Sequence, residues 1–208
     1  MSEKTVFFIL LNKYADWEAA PLASIINSMS GWRVKTVSPH KVPIHSIGGF
    51  TVISDMDITQ AMSEDCAGVV LVGGMSWRLP EANAVEPLVR SALEKHIPIG
   101  AICDATTYIA KLGILNAVSH TGNTLSDLKT IGVEHYSGEA RYRDEQAVRD
   151  GGIVTANGFA AIDFSREMII ALDLMSEQDA ARWYRLEKLG FYEAQAEAFW
   201  LIEKLSSQ

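Results

Sequence analysis

The 208-residue sequence predicts an α/β domain built from parallel strand–helix units, and three observations carry that reading. Short apolar runs alternate with helical patterns along most of the chain, which is the signature of βα units. The continuous apolar run Ala67-Gly-Val-Val-Leu-Val72 ends in Gly73-Gly74, as expected of a central strand. A second apolar run beginning at Ile97 passes through Cys103 straight into a helical pattern that lasts to Gly113. The length suits one domain spanning 1–208, with a core over about 5–175 and a helical extension over 177–205. No internal repeat, low-complexity segment or linker interrupts it.

Taken in order, Thr5–Leu11 reads as a first buried strand and Asp16–Met29 as a helix with Asp16 as its N-cap. Trp32–Val37 alternates with period two, so it reads as a strand with one exposed face. Pro43–Asp57 is expected to form a short hairpin or excursion, with turn chemistry at Ile47-Gly-Gly-Phe50. A helix is expected over Glu81–Lys95, stopped by His96 and Pro98. Leu115–Lys129 is polar and interrupted by glycine, hence loop plus one short helix. Arg141–Val148 and Gly152–Ala156 flank Asp150-Gly151-Gly152, a hairpin signal, and Ala160–Met175 reads as a further helix. Glu177–Leu205 is helical in pattern, divided near Gly190, and rich in aromatic residues. Those aromatics are expected to dock the last helices onto the sheet; the alternative is a dimer interface or a wall over an active site.

Composition narrows the function. Hydrophobic residues at 48% and charged residues at 21% are those of an ordinary globular protein. A net charge of −8 without a local basic cluster argues against nucleic acid or an anionic membrane as partner. Val6–Leu11 is too short to span a bilayer and no cleavage site follows it. With only two cysteines and no targeting signal, the expected compartment is a reducing cytoplasm. The remaining partners are a small molecule or another protein.

Cys103 stands out among the candidate functional residues. Ala101 and Ala105 flank it with small side chains, as a tight strand-to-helix turn requires. A thiol there faces backbone N–H groups at a helix N-terminus, which favour a thiolate. The competing reading is an ordinary buried cysteine. Cys66 adjoins Glu64 and Asp65, whose charge opposes a thiolate, so a structural role is expected. His40, His45, His96 and His135 show no metal-ligand spacing, and Gly48-Gly49 and Gly151-Gly152 lack a nucleotide-binding fingerprint. Neither a metal nor another cofactor is expected.

The ordered set Asp16-Trp-Glu18-Ala-Ala-Pro21, Val69-Val-Leu-Val-Gly-Gly74, Ala101-Ile-Cys103 and Lys111-Leu-Gly-Ile-Leu115 resembles the ThiJ/PfpI family, often called the DJ-one superfamily. Val154-Thr-Ala-Asn-Gly-Phe-Ala160, with Asp163 and Phe164, is similar to that family's late strand–loop–helix. The resemblance covers roughly residues 5 to 175. It implies a class I glutamine amidotransferase-like fold: a flavodoxin-like three-layer sandwich with a mostly parallel central sheet. It further implies that Cys103 is the reactive thiol, with Glu18 beside it. A protonated Glu18 would donate a hydrogen bond to a thiolate, and burial would favour that form. The alternative is a first-turn glutamate that serves the helix dipole. A substrate oxyanion would meet backbone N–H groups of Gly74 or Met75 and of Asp104, with glycine at 73 and 74 allowing close approach. A plain turn after a strand is the competing reading of that pair.

The pattern departs from protease-like members, which carry histidine immediately after the cysteine; here that residue is Asp104. An ionised aspartate is a poor base near neutral pH, which argues against peptidase activity of that specific kind. His120 in Val118-Ser-His-Thr-Gly-Asn123 becomes the candidate base, and Asn123 a substrate-binding or orienting group. A shift in loop length would instead put Asn123 where a histidine stands, and His120 would then be a solvated loop residue. The resemblance implies a homodimeric cysteine-nucleophile enzyme acting on a small amide or carbonyl, by amide hydrolysis, removal of dicarbonyl adducts or glyoxalase-type isomerisation. The alternatives are a redox-sensing, stress-protective protein whose Cys103 is oxidised to a sulfinate, and a metabolite-binding protein.

Overall fold

The computed structural model describes residues 3–132 and 134–206. In chain order its elements are β1 (Lys4–Ile9), α1 (Asp16–Ser28), β2 (Trp32–Ser38), β3 (Ile44–His45), β4 (Thr51–Val52) and β5 (Met56–Asp57). There follow α2 (Ile58–Ala61), β6 (Gly68–Leu71), α3 (Glu86–Glu94), β7 (Ile99–Ile102), α4 (Ala105–Lys111) and α5 (Leu125–Ile131). The last are β8 (Ala147–Asp150), β9 (Ile153–Ala156), α6 (Ala161–Ala171), α7 (Glu177–Leu189) and α8 (Gln195–Ser206).

Seven strands form one sheet in the order β5-β2-β1-β6-β7-β9-β8. Every pairing in it is parallel except the β8–β9 hairpin, where Asp150 faces Ile153 across the Gly151-Gly152 turn. The expected α/β sandwich with a mostly parallel sheet is therefore the observed one. β3 and β4 make a separate antiparallel hairpin with Ile44 opposite Val52, in the segment expected to leave the sheet.

The strands alternate between two apolar cores, as period-two geometry demands. Phe7, Ile9, Val69 and Leu71 point to a core closed by Val85, Leu88, Val89, Tyr108 and Ile109. Val6, Phe8, Val70 and Ile102 point the other way, against Leu22 and Ile26 of α1, Phe164 and Met168 of α6, and Trp183 of α7. Glycine within two strands lets α6 come close. A Cβ at Gly68 would run into Leu172, and one at Gly100 into Met168 and Phe164.

Several boundaries differ from the expectation for local reasons. The residue before α1 is Ala15, which caps nothing with its side chain, and Asp16 lies one position inside the helix. Its carboxylate accepts from the Gly48 N–H at 2.7 Å, tying the hairpin turn to the start of α1. The expected helix over 81–95 divides at Pro87, which has no N–H for an α-helical bond: a 3-10 segment covers Pro80–Val85, and α3 begins at Glu86. The strand expected from Arg141 begins only at Ala147, because Glu139–Arg141 is a 3-10 turn.

β1 sits between β2 and β6, so successive crossovers leave it in opposite directions. That switch point opens a crevice at the carboxyl ends of the strands, where open α/β sheets place ligands. The start of α1, the Gly73-Gly74 loop after β6 and Cys103 after β7 all meet there.

Candidate active site

Cys103 is the first of the two residues between β7 and α4 and lies in the left-handed region, at φ 59°. A β-carbon in that region costs energy, and such residues persist where the surroundings over-determine them. Its N–H donates to Ala156 O at 2.9 Å, and its carbonyl accepts from Thr106 Oγ1 at 2.6 Å and Thr106 N at 3.1 Å. The backbone on both sides of the sulfur is thereby fixed.

Four other segments close around it. Glu18, from the second residue after Asp16 in α1, is wholly buried, and neither of its carboxyl oxygens has a well-formed hydrogen bond. Its polar neighbours are the Gly73 amide and the Cys103 thiol. Two glycines make this approach sterically possible. A Cβ at Gly73 would fall on Glu18 Oε2 and Cys103 Cβ, and one at Gly158 would stand 2.8 Å from Cys103 Sγ and 3.1 Å from Glu18 Oε1. Asn123 accepts the Gly158 N–H on Oδ1 at 2.9 Å, which leaves its amide Nδ2 to donate to Sγ at 3.4 Å. Trp17 Nε1 donates to the Gly158 carbonyl at 3.0 Å, joining the first helix to the loop after β9. Above the sulfur lies a cavity of about 400 Å³ whose walls include Ala15, Trp17, Ile47, Met75 and Arg78.

The titration of the pair follows from this enclosure. Burial pushes Glu18 up to about 7, and the Asp104 charge pushes the same way, against the Cys103 thiol and the Gly73 N–H. Burial first, and then the Glu18 charge, push the Cys103 thiol up to about 11, while the Asn123 side chain and Asp104 amide pull it down. Each group is raised chiefly by its burial, and an ionised Glu18 further opposes the thiolate, so the pair keeps one proton between them over a wide pH range.

The backbone donors separate clearly. Met75 N already donates to Lys13 O at 3.1 Å, and a flanking bond from Ala15 N to Gly73 O completes an isolated bridge between Tyr14 and Gly74. Of the amides expected to hold an oxyanion, that of Gly74 has no backbone partner among the described residues, and that of Asp104 has none on the backbone and faces the Cys103 sulfur. Gly74 itself has φ 148°, and a Cβ there would strike Tyr14 and Lys13.

The structure thus brings together Cys103, Glu18, Gly73, Gly74, Met75, Asp104 and Asn123. It does not bring His120 with them. That side chain is fully buried behind the loop, with Nδ1 2.8 Å from Val118 O and Nε2 2.8 Å from Tyr136 Oη. The rings of Tyr136 and Tyr142 meet it edge-on, and burial lowers its pKa. It is neither a base at the sulfur nor a solvated loop residue, and Asn123 holds the place beside Sγ. The Asp104 carboxylate is fixed by Arg78: Nε lies 2.9 Å from both oxygens, and Nη2 also contacts it. Arg78 is missing from the sequence reading. Its cue was a lone cation four residues beyond Gly74. Trp17 and Gly158 likewise have no expected role, although both lie inside the segments that carry the resemblance.

An α/β sandwich with a strained cysteine at the switch-point crevice and a buried carboxyl beside it defines a class of proteins. The model of the DJ-1/PfpI family matches residues 4–171, and the chain belongs to that family. It is 36% identical over 189 residues to the uncharacterized protease YdeA of Bacillus subtilis, covering 91% of this chain and 93% of that one. Among solved structures, the thiJ/pfpI family protein from Bacillus anthracis superimposes with a TM-score of 0.86 at 29% identity, covering 95% and 96% of the two chains. The DJ-1 superfamily protein from Agrobacterium tumefaciens gives a TM-score of 0.78 at 33% identity, over 86% of this chain and 95% of that one.

Proposed function

We propose that this protein is a cysteine-nucleophile enzyme acting on a small amide or carbonyl compound. The observation that carries the reading is the strained Cys103 at φ 59°, facing an open cavity with an unpartnered buried glutamate at its side. The thiol proton passes to Glu18, and the thiolate attacks the substrate carbonyl carbon. The developing oxyanion takes the N–H groups of Gly74 and of Asp104, the latter turning from the sulfur to the oxygen. Glu18 then returns the proton to the leaving group, which is the amine in an amide substrate. Asn123 orients the sulfur from the opposite side through its Nδ2–H. A glutamate tuned near 7 can both accept and donate at neutral pH, which is the requirement His120 was expected to meet. The name protease carried by the Bacillus subtilis relatives supports an amide substrate. The absence of histidine from the cavity wall, among the described residues, argues for chemistry that relies on the Glu18–Cys103 pair.

The test is turnover. A panel of peptide amides and α-dicarbonyl compounds should yield at least one substrate, and Cys103→Ala should reduce kcat by 10³-fold or more, as loss of a covalent nucleophile does. Full turnover by that variant would end the reading. No turnover on any compound, with mass spectrometry showing mild peroxide converting Cys103 alone to the sulfinate, would favour a redox sensor.

A further inference from the structure

The cavity over Cys103 is apolar on its walls and acidic at its rim. Trp17, Ile47 and Met75 expose large apolar surfaces into it or beside it. Arg78 supplies a cation there, and an arginine in a pocket ordinarily signals a receptor for a carboxylate or phosphate of the substrate. Its surroundings oppose that role. Nε and Nη2 are held by both oxygens of Asp104, and Nη2 also lies 3.4 Å from Asp127 Oδ1. Asp127 is in turn fixed in the first turn of α5 by the Thr124 cap. Two carboxylates around one guanidinium leave this rim with one net negative charge. Glu18, buried and unpartnered at the cavity floor, adds another whenever it ionises. The donors on Arg78 Nη1 have no partner among the described residues, so they remain able to meet a neutral carbonyl oxygen.

We propose that the Cys103 cavity selects neutral or cationic carbonyl compounds with an apolar flank, and that the Asp104–Arg78–Asp127 cluster excludes anionic ones. This names the substrate class for the nucleophile reading and rests on it. Arg78 is a positioning residue in this arrangement, holding the Asp104 carboxylate at the rim while the Asp104 amide serves the oxyanion.

The inference is tested on the 208-residue chain with Cys66→Ser, so that labelling reads Cys103 alone. Three methanethiosulfonates serve as probes: the neutral methyl reagent, the cationic trimethylammonioethyl reagent and the anionic sulfonatoethyl reagent. In each the thiolate attacks the sulfenyl sulfur and an S–S bond forms. The S–SO₂ bond breaks and sulfinate leaves with its electron pair, the thiol proton having gone to Glu18 or buffer. Rates are normalised to 2-mercaptoethanol. The cationic-to-anionic ratio at Cys103 should exceed that of the free thiol by about tenfold at low salt, falling towards it in 1 M salt. Asp104→Asn and Asp127→Asn should each lower the ratio and Arg78→Met should raise it, while Arg78→Lys, which keeps the charge, should leave it near the parent value. Asp127 reaches the cavity only through Arg78 and is part-exposed, so its variant carries the test if changes at 78 or 104 prevent folding. A reactive Cys103 whose ratio is at or below that of the free thiol, or is unmoved by Asp127→Asn, overturns this inference alone. A Cys103 that none of the three reagents labels overturns the nucleophile reading, and this one with it.

Discussion

Glu18 decides the behaviour of the site because it is a fully buried acid without a well-formed partner. Its folded pKa, about 7, lies above the ordinary glutamate value of 4.5. Between those values the native state holds a proton that the unfolded chain has released. Stability from this group is therefore fully present below about pH 4.5 and lost as pH rises through 7. The Cys103 thiol, pushed up to about 11 from 9, has its own window at alkaline pH and does not overlap this one. Urea unfolding of the parent should show stability falling by on the order of 2–3 kcal/mol from pH 5 to pH 8 because of this group. Glu18→Gln should flatten that fall, so that the variant's loss relative to the parent is larger at pH 5 than at pH 8. An equal difference at both pH values would mean that residue 18 does not titrate in this range. The identity and proximity of Glu18 and Cys103 were legible in the sequence through the resemblance. The partner of Asp104 was not, because Arg78 lies 26 positions away and only the folded loops bring them into contact.

At the scale of the element, the strand–turn–helix around Cys103 stores strain in one residue. Cys103 has φ 59° and carries a β-carbon, whereas glycine adopts that conformation without penalty. Cys103→Ala keeps the strain and Cys103→Gly relieves it. The glycine variant should be the more stable of the two by about 1 kcal/mol, against the usual order in which glycine is the worse residue in an ordered element. Denaturant midpoints of the two variants at one pH measure this, and an alanine variant of higher stability would show that the bend is not strained. The elbow was readable because it has local requirements: apolar strand, small flanks and a helical pattern at once. The Glu81–Lys95 and Arg141–Val148 boundaries were misread for the opposite reason. The first begins within the 3-10 segment Pro80–Val85 and the second on the last residue of the 3-10 turn Glu139–Arg141, and hydrophobic periodicity does not distinguish such three-residue bonding from the start of a longer helix or strand. The His120 loop was misread because its shape is set by two tyrosine rings from distant positions, 136 and 142.

For the whole molecule, charge and periodicity determined much of what was readable. Alternating apolar runs gave the two-faced sheet, and among the described residues no helix is long and apolar enough to cross a membrane. The C-terminal aromatics needed the structure, since sequence alone left docking and an interface as alternatives. They divide between two surroundings. Trp183 is buried against the α1 and α6 side of the sheet, and the same helix clasps α6 through Asp163, which accepts from Tyr184 Oη at 2.9 Å and Lys188 Nζ at 2.6 Å. The second helix is held on the first by Arg185–Glu197 at 3.1 Å and by Arg182 over the Trp200 ring at 4.4 Å. Phe191, by contrast, meets Tyr192 and Phe199 edge-on at the surface, and all three are exposed. The extension should therefore be energetically uneven. Trp183→Ala removes a large side chain that is 2% exposed and should cost about 3–5 kcal/mol. Tyr192→Ala, at a residue 87% exposed, should change stability by no more than about 0.5 kcal/mol. Urea unfolding followed by far-ultraviolet circular dichroism gives both values at protein concentrations low enough to disfavour association. A large loss at Tyr192 that grows with protein concentration would show that the exposed aromatics are covered by a second chain in solution, as self-association linked to folding requires.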